Sequence, residues 1–175
     1  MTAPNPAPHT GSAAIFDALM AEVMAGATRF GHREHVHLTW LAVRRCGVTA
    51  AIGLVSAGIQ RTARYAGAPQ KYHATISRAW VELVGYHAAE TGEDHFAAFV
   101  GHHRALLDKR LLTRFYRPAT LASAQAKTGW AEPDLAPFPW QAGRQRTACI
   151  RATGLRSAIS MTSGMTGAFQ GLPDR

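Results

Sequence analysis

From Ser12 to Ala25, apolar side chains return at helical spacing: Ile15, Phe16, Leu19, Met20 and Val23 form one stripe and predict a first helix. After the Phe30-Gly31 break, HREHVHLTWLAVRRC predicts a second, with Val36, Leu38, Trp40 and Val43 turned inward and Gly47 as its stop. Thr49 is placed to cap a third, AAIGLVSAGIQRTARYAG, whose small residues permit close helix approach and which ends at Gly67-Ala68-Pro69. The longest continuous pattern, KYHATISRAWVELVGYHAAE, predicts a fourth with Ile76, Ala79, Trp80, Leu83 and Val84 facing the core. Asp94 reads as the cap of HFAAFVGHHRALL, and shorter helices are expected through LLDKRLLTRFY and, from Pro118, through ATLASAQAKTGW. Alternating β-branched stretches with hairpin turns are missing throughout. The expected fold is therefore all-α, a compact antiparallel bundle of five to seven helices with an irregular C-terminal tail.

This pattern divides the 175 residues into a disordered leader over 1–11, a helical domain over 12–140 and a loosely structured basic tail over 141–175. Pro133, Pro137 and Pro139 close the helical region as an extended strap. With 47% apolar and 17% charged residues the composition is that of a globular chain, and no apolar run approaches the ~18 residues that span a bilayer. The leader has neither the basic start nor the apolar centre of a signal peptide, so a cytoplasmic protein without a membrane partner is expected. Cys46 and Cys149 stand far apart and outside any C-x-x-C spacing, which speaks against a disulfide framework or a thiolate zinc site. Of the net charge of +8, about half comes from Arg144, Arg146, Arg151, Arg156 and Arg175, opposed only by Asp174. The helical region is thus only mildly basic and carries no zinc-finger, RNP or coiled-coil signature, which weighs against a nucleic-acid partner.

Chemistry is expected first at His32 and His35, which three-residue spacing puts on one face of the second helix, where two imidazoles can share a metal. His37 points well around that helix, and His73, in KYHAT at the start of the fourth, is the natural third ligand. Three histidines from two helices would leave coordination positions open for water, oxygen or substrate. Tyr72 and Tyr116 offer hydroxyls that can move a proton, and Thr75 one that can orient a histidine. The competing reading is plain packing: a histidine among apolar residues more often makes one hydrogen bond than holds an ion, and Trp40 and Trp80 more often fill a core than line a pocket. His9, His87, His95 and the His102-His103 pair read as solvated surface residues. Asp108 and Asp134 read as organisers of a cap and a Pro-flanked turn. The hydrolase elbow, the P-loop, the dinucleotide fingerprint and H-E-x-x-H are all missing.

The blocks FGHREHVHLTW, KYHATISRAW, LLDKRLLTRFYRPATLAS and PDLAPFP, over about residues 29 to 139, resemble in order and spacing a family of small uncharacterised bacterial proteins. The resemblance implies shared roles for His32, His35, Tyr72, His73, Thr75 and Trp80, with Asp108, Tyr116 and Asp134 behind them, and implies no activity. Arg117 departs from it, standing where a serine usually follows the tyrosine. The expected function is a small histidine-ligated metalloenzyme, with His32, His35 and His73 on a divalent iron, copper or zinc and Tyr72 or Tyr116 moving protons. Its substrate would be a small organic molecule and its chemistry oxidative or rearranging. The alternatives are a non-catalytic metal or small-molecule binding protein, and a metal-free isomerase or cyclase using histidine as acid and base.

Overall fold

A computed structural model describes residues 9–141, which contain six α-helices and, among the described residues, no strand. These are α1 (His9–Met24), α2 (His32–Tyr65), α3 (Ala74–Thr91), α4 (Phe96–His102), α5 (Pro118–Ala122) and α6 (Ala124–Thr128), with short 3-10 turns at Pro69–Lys71, Arg104–Leu107 and Leu111–Arg114. The all-α bundle expected from the periodicity is what forms. The helix begins at His9, three residues before the expected start; residues 1–8 and the basic segment beyond residue 141 lie outside the described residues. The chain divides after Pro137 into two compact units, and the bundle is the first. In the second, the described residues show the Phe138 ring stacked on Trp140 at 4.5 Å, with the Gln141 side chain accepting the Phe138 N–H at 2.9 Å.

The second and third predicted helices are one element, α2, broken at Gly47, whose φ of 75° and ψ of 166° are neither helical nor comfortable for a side-chain-bearing residue. The sequence stop was correctly placed, but the chain resumes its helix at once. α2 packs against both α1 and α3. Seven of its residues before the break, Val36 and Leu38 through Val43, are buried, including Thr39, whose hydroxyl donates to the His35 carbonyl at 2.8 Å. This central position explains why α2 is long and apolar enough by composition to cross a membrane; half of its most apolar window is buried in the bundle.

Phe16, Leu19 and Val23 of α1 are buried as the stripe predicts, whereas Ile15 is 50% exposed. From α3, Ala79, Trp80, Val81, Leu83 and Val84 enter the core, joined by Phe96, Phe99 and Val100 of α4. Asp94 does not cap α4. His95 holds the cap position, and the Asp94 carboxylate pairs with Arg44 at 2.7 Å, because a neighbouring guanidinium is a stronger partner than a helix-end amide. After α4 the chain runs mostly as 3-10 turns and very short helices. Such elements leave many backbone groups without a helical partner.

Candidate metal centre

Backbone carbonyls of the irregular segment after α4 take up most of the side chains that the sequence marks for chemistry. His32 Nε2–H donates to the Leu106 carbonyl at 3.0 Å, with its ring edge-on to Trp80 at 4.7 Å. His73 is not inside a helix but is the N-cap of α3: Nδ1 accepts the Ile76 N–H at 3.3 Å, and Nε2–H donates to the Leu121 carbonyl at 2.8 Å. Both ring nitrogens are thereby committed. Thr75 is fully buried, its hydroxyl donating to Gly129 O at 2.8 Å and accepting from Ala131 N at 3.0 Å. Tyr116, fully buried, donates its hydroxyl to Ala131 O at 3.0 Å, and burial, reinforced by Glu132, holds its proton well beyond the usual phenol range. Tyr72 sits half-buried at the end of the Pro69–Lys71 turn. Asp134 accepts from Arg117 N at 2.9 Å and from the Thr120 hydroxyl at 2.6 Å, and Asp108 accepts from Arg110 N at 2.9 Å, both as turn organisers.

His35 stands apart. Its ring is buried, its Nε2 has no partner among the described residues, and burial, helped by His32 nearby, lowers its pKa to about 4. It is neutral near neutral pH.

The ligand set of His32, His35 and His73 is therefore not assembled. Their ligand atoms do not gather around one point, because His73 is spent on capping α3 and on Leu121, and His32 on Leu106. These residues act as tethers that hold the irregular segment on α2 and α3. Thr75→Val keeps the shape but strips partners from the Gly129 carbonyl and the Ala131 amide, and is expected to cost about 2 kcal/mol of stability. Urea denaturation measures this, and a change below about 0.5 kcal/mol would contradict the tether.

One group of three side chains among the described residues could hold a metal ion: His87, Glu90 and His103, whose ligand atoms all lie within 4.8 Å of one another. His87 and Glu90 are three apart near the end of α3, and His103 comes from the end of α4. The αL turn at Gly92 reverses the chain between them. His87 Nδ1 lies 2.8 Å from Glu90 Oε2, the His87 and His103 rings are 4.5 Å apart, and His103 Nε2 is 3.4 Å from the Thr91 hydroxyl. The His87 hydrogen bond holds the Glu90 carboxyl below its usual range, while partial burial and the neighbouring His87 lower His103. A second pair, His102 Nδ1 and Glu93 Oε1 at 3.1 Å, lies on the same stretch of chain.

These residues read as solvated surface in the sequence, yet the signal was present. His-x-x-Glu over 87–90 has the spacing that drew attention to His32 and His35, and the His102-His103 pair follows a short helix that can return to it. Comparison with protein-family models, curated proteins and solved structures gives no match to this chain.

Proposed function

We propose that this chain binds one divalent transition metal through His87, Glu90 and His103, and that the ion serves an activity on a small organic molecule. The observation that carries the reading is the approach of three ligand atoms from two helices to within 4.8 Å of one another. Two imidazoles and a carboxylate form a nitrogen–oxygen set suited to zinc, iron(II) or copper and poor for the softest ions. His87 is about a quarter and Glu90 just under half exposed, so an ion there meets solvent and a small molecule can reach it. A metal with only three protein ligands keeps positions where it can activate water or polarise a bound oxygen. The chain's own contribution is to hold the ligands: α3 fixes His87 and Glu90 on one face, and Phe99, with its ring 5.1 Å from His103, braces the third.

The test is equilibrium metal binding by tag-free protein, with zinc, iron(II) and copper(II) offered in turn. One ion per chain is expected, with at least tenfold weaker binding in His103→Ala and Glu90→Gln and unchanged binding in His32→Ala and His73→Ala. Wild-type protein that takes up no ion, or His103→Ala that binds as wild type does, overturns the reading.

A further inference from the structure

Resting on that reading, we infer that Thr91 is a positioning residue of the centre: its hydroxyl holds the Nε2 proton of His103 and so makes Nδ1 the nitrogen through which that imidazole meets the ion. Thr91 is the last residue of α3, one turn beyond His87. Its Oγ1 lies 3.2 Å from the His87 carbonyl oxygen and 3.4 Å from His103 Nε2. A threonine hydroxyl has one proton to give. Donated to the His87 carbonyl, in the bond that helical threonines make four residues back, it leaves only lone pairs for His103, so Nε2 must bring the proton. In a neutral imidazole the other nitrogen then carries the lone pair, and Nδ1 is the atom able to ligate.

His103 is the ligand that helical geometry does not place. His87 and Glu90 are set by their three-residue spacing on α3, whereas His103 is the C-cap of α4, with φ of −116° and ψ of 51°, outside the helical region. The rings of Phe99 and His87 approach its imidazole, with centroids 5.1 and 4.5 Å away, but neither ring contact selects a nitrogen. The Thr91 hydroxyl does, and through the His87 carbonyl it ties the α4 ligand to the backbone of an α3 ligand. A cation on Nδ1 draws charge from the ring and makes Nε2–H a stronger donor, so ion and hydrogen bond reinforce each other. Loss of such a partner weakens metal affinity by about 10- to 100-fold, and the exposed position of Thr91 puts it at the lower end.

The experiment is zinc binding by the full chain in competition with a chromophoric chelator, for wild type, Thr91→Val, Thr91→Ser, His103→Ala and the Thr91→Val/His103→Ala double variant. Nitrogen-15 NMR of the histidine rings in zinc-loaded wild type accompanies it, with the His103 signals identified by their loss in His103→Ala. Thr91→Val, which keeps the shape and removes the hydroxyl, should bind zinc about tenfold more weakly, and Thr91→Ser, which keeps the hydroxyl, should bind as wild type does. In the His103→Ala background Thr91→Val should have no further effect, since the group through which Thr91 acts is gone. The NMR signals should show His103 ligating through Nδ1 with its proton on Nε2. Wild-type affinity in Thr91→Val, an equal loss in Thr91→Ser, a loss that persists without His103, or zinc on His103 Nε2 each overturns the positioning role and leaves the ligand set standing. If wild type itself binds no zinc, iron(II) or copper(II), the ligand set fails and the inference fails with it.

Discussion

Folding stability is expected to fall by about 3 kcal/mol through His35 alone as the pH drops from about 6.5 to about 4, and His35→Leu is expected to abolish that share of the loss. The unfolded chain takes up a proton at this histidine near its ordinary value of 6.5, whereas the folded protein resists protonation down to about 4. Above 6.5 the ring is neutral in both states and contributes no pH dependence. Between the two values the unfolded state binds more protons, so stability drops by about 1.4 kcal/mol per pH unit, and below about 4 the loss levels off. The cause is burial first and the nearby His32 second. An imidazolium there would have its Nε2 shielded from solvent and without an acceptor among the described residues. His37 and His103 are lowered in the same direction, and Glu90, Asp94 and Asp134 are held low, so the whole protein loses stability in acid from several sources. The quantity that isolates His35 is therefore the difference between wild-type and His35→Leu urea midpoints at pH 7.5 and pH 4. Parallel pH curves for the two proteins would show that His35 titrates normally.

Leu19, Val36, Leu38, Trp80 and Val84 were legible as core because helical periodicity is set by the chain's own geometry, and every one of them is buried. Gly47 was legible as a stop because its neighbours lose the pattern there. What the sequence did not disclose is that the helix resumes immediately after the kink at Gly47, with no loop between the two halves of α2. The site was less legible for a related reason. His32, Thr75, His73 and Tyr116 form a block of polar residues among apolar ones, the pattern that a catalytic pocket and a set of backbone tethers share. Deciding between them requires knowing that the segment from Arg104 to Leu135 is built of 3-10 turns and very short helices, whose carbonyls at Leu106, Leu121, Gly129 and Ala131 accept hydrogen bonds from these side chains. Conversely, His87 and His103 looked solvated because each belongs to a different helix, and only the Gly92 turn brings them together.

Gly58→Val is expected to destabilise the protein by about 3 kcal/mol, and by much less when Phe16 has first been reduced to alanine. A Cβ built at Gly58 would lie 2.0 Å from Cδ2 and 2.4 Å from Cγ of Phe16, far inside van der Waals contact. The ring cannot swing aside cheaply: Phe16 is fully buried, the Arg61 guanidinium lies over it at 5.6 Å, and the Arg61 ion pair with Asp17 pins that cover to α1. Gly58 is therefore a point of close approach between α1 and the second half of α2, the use that the small residues of AAIGLVSAG predict. Glycine inside a helix costs about 1 kcal/mol relative to alanine, so retaining it implies that the contact with Phe16 returns more than that. In the Phe16→Ala background the space is vacated, and Gly58→Val should then cost little or even stabilise by filling the cavity. Chemical denaturation of the two single variants and the double variant measures the coupling, which should exceed about 1.5 kcal/mol for side chains in such direct conflict. Additive costs would mean that α1 slides along α2 to relieve the clash, and that the seating of α1 is not set by the Phe16–Gly58 contact.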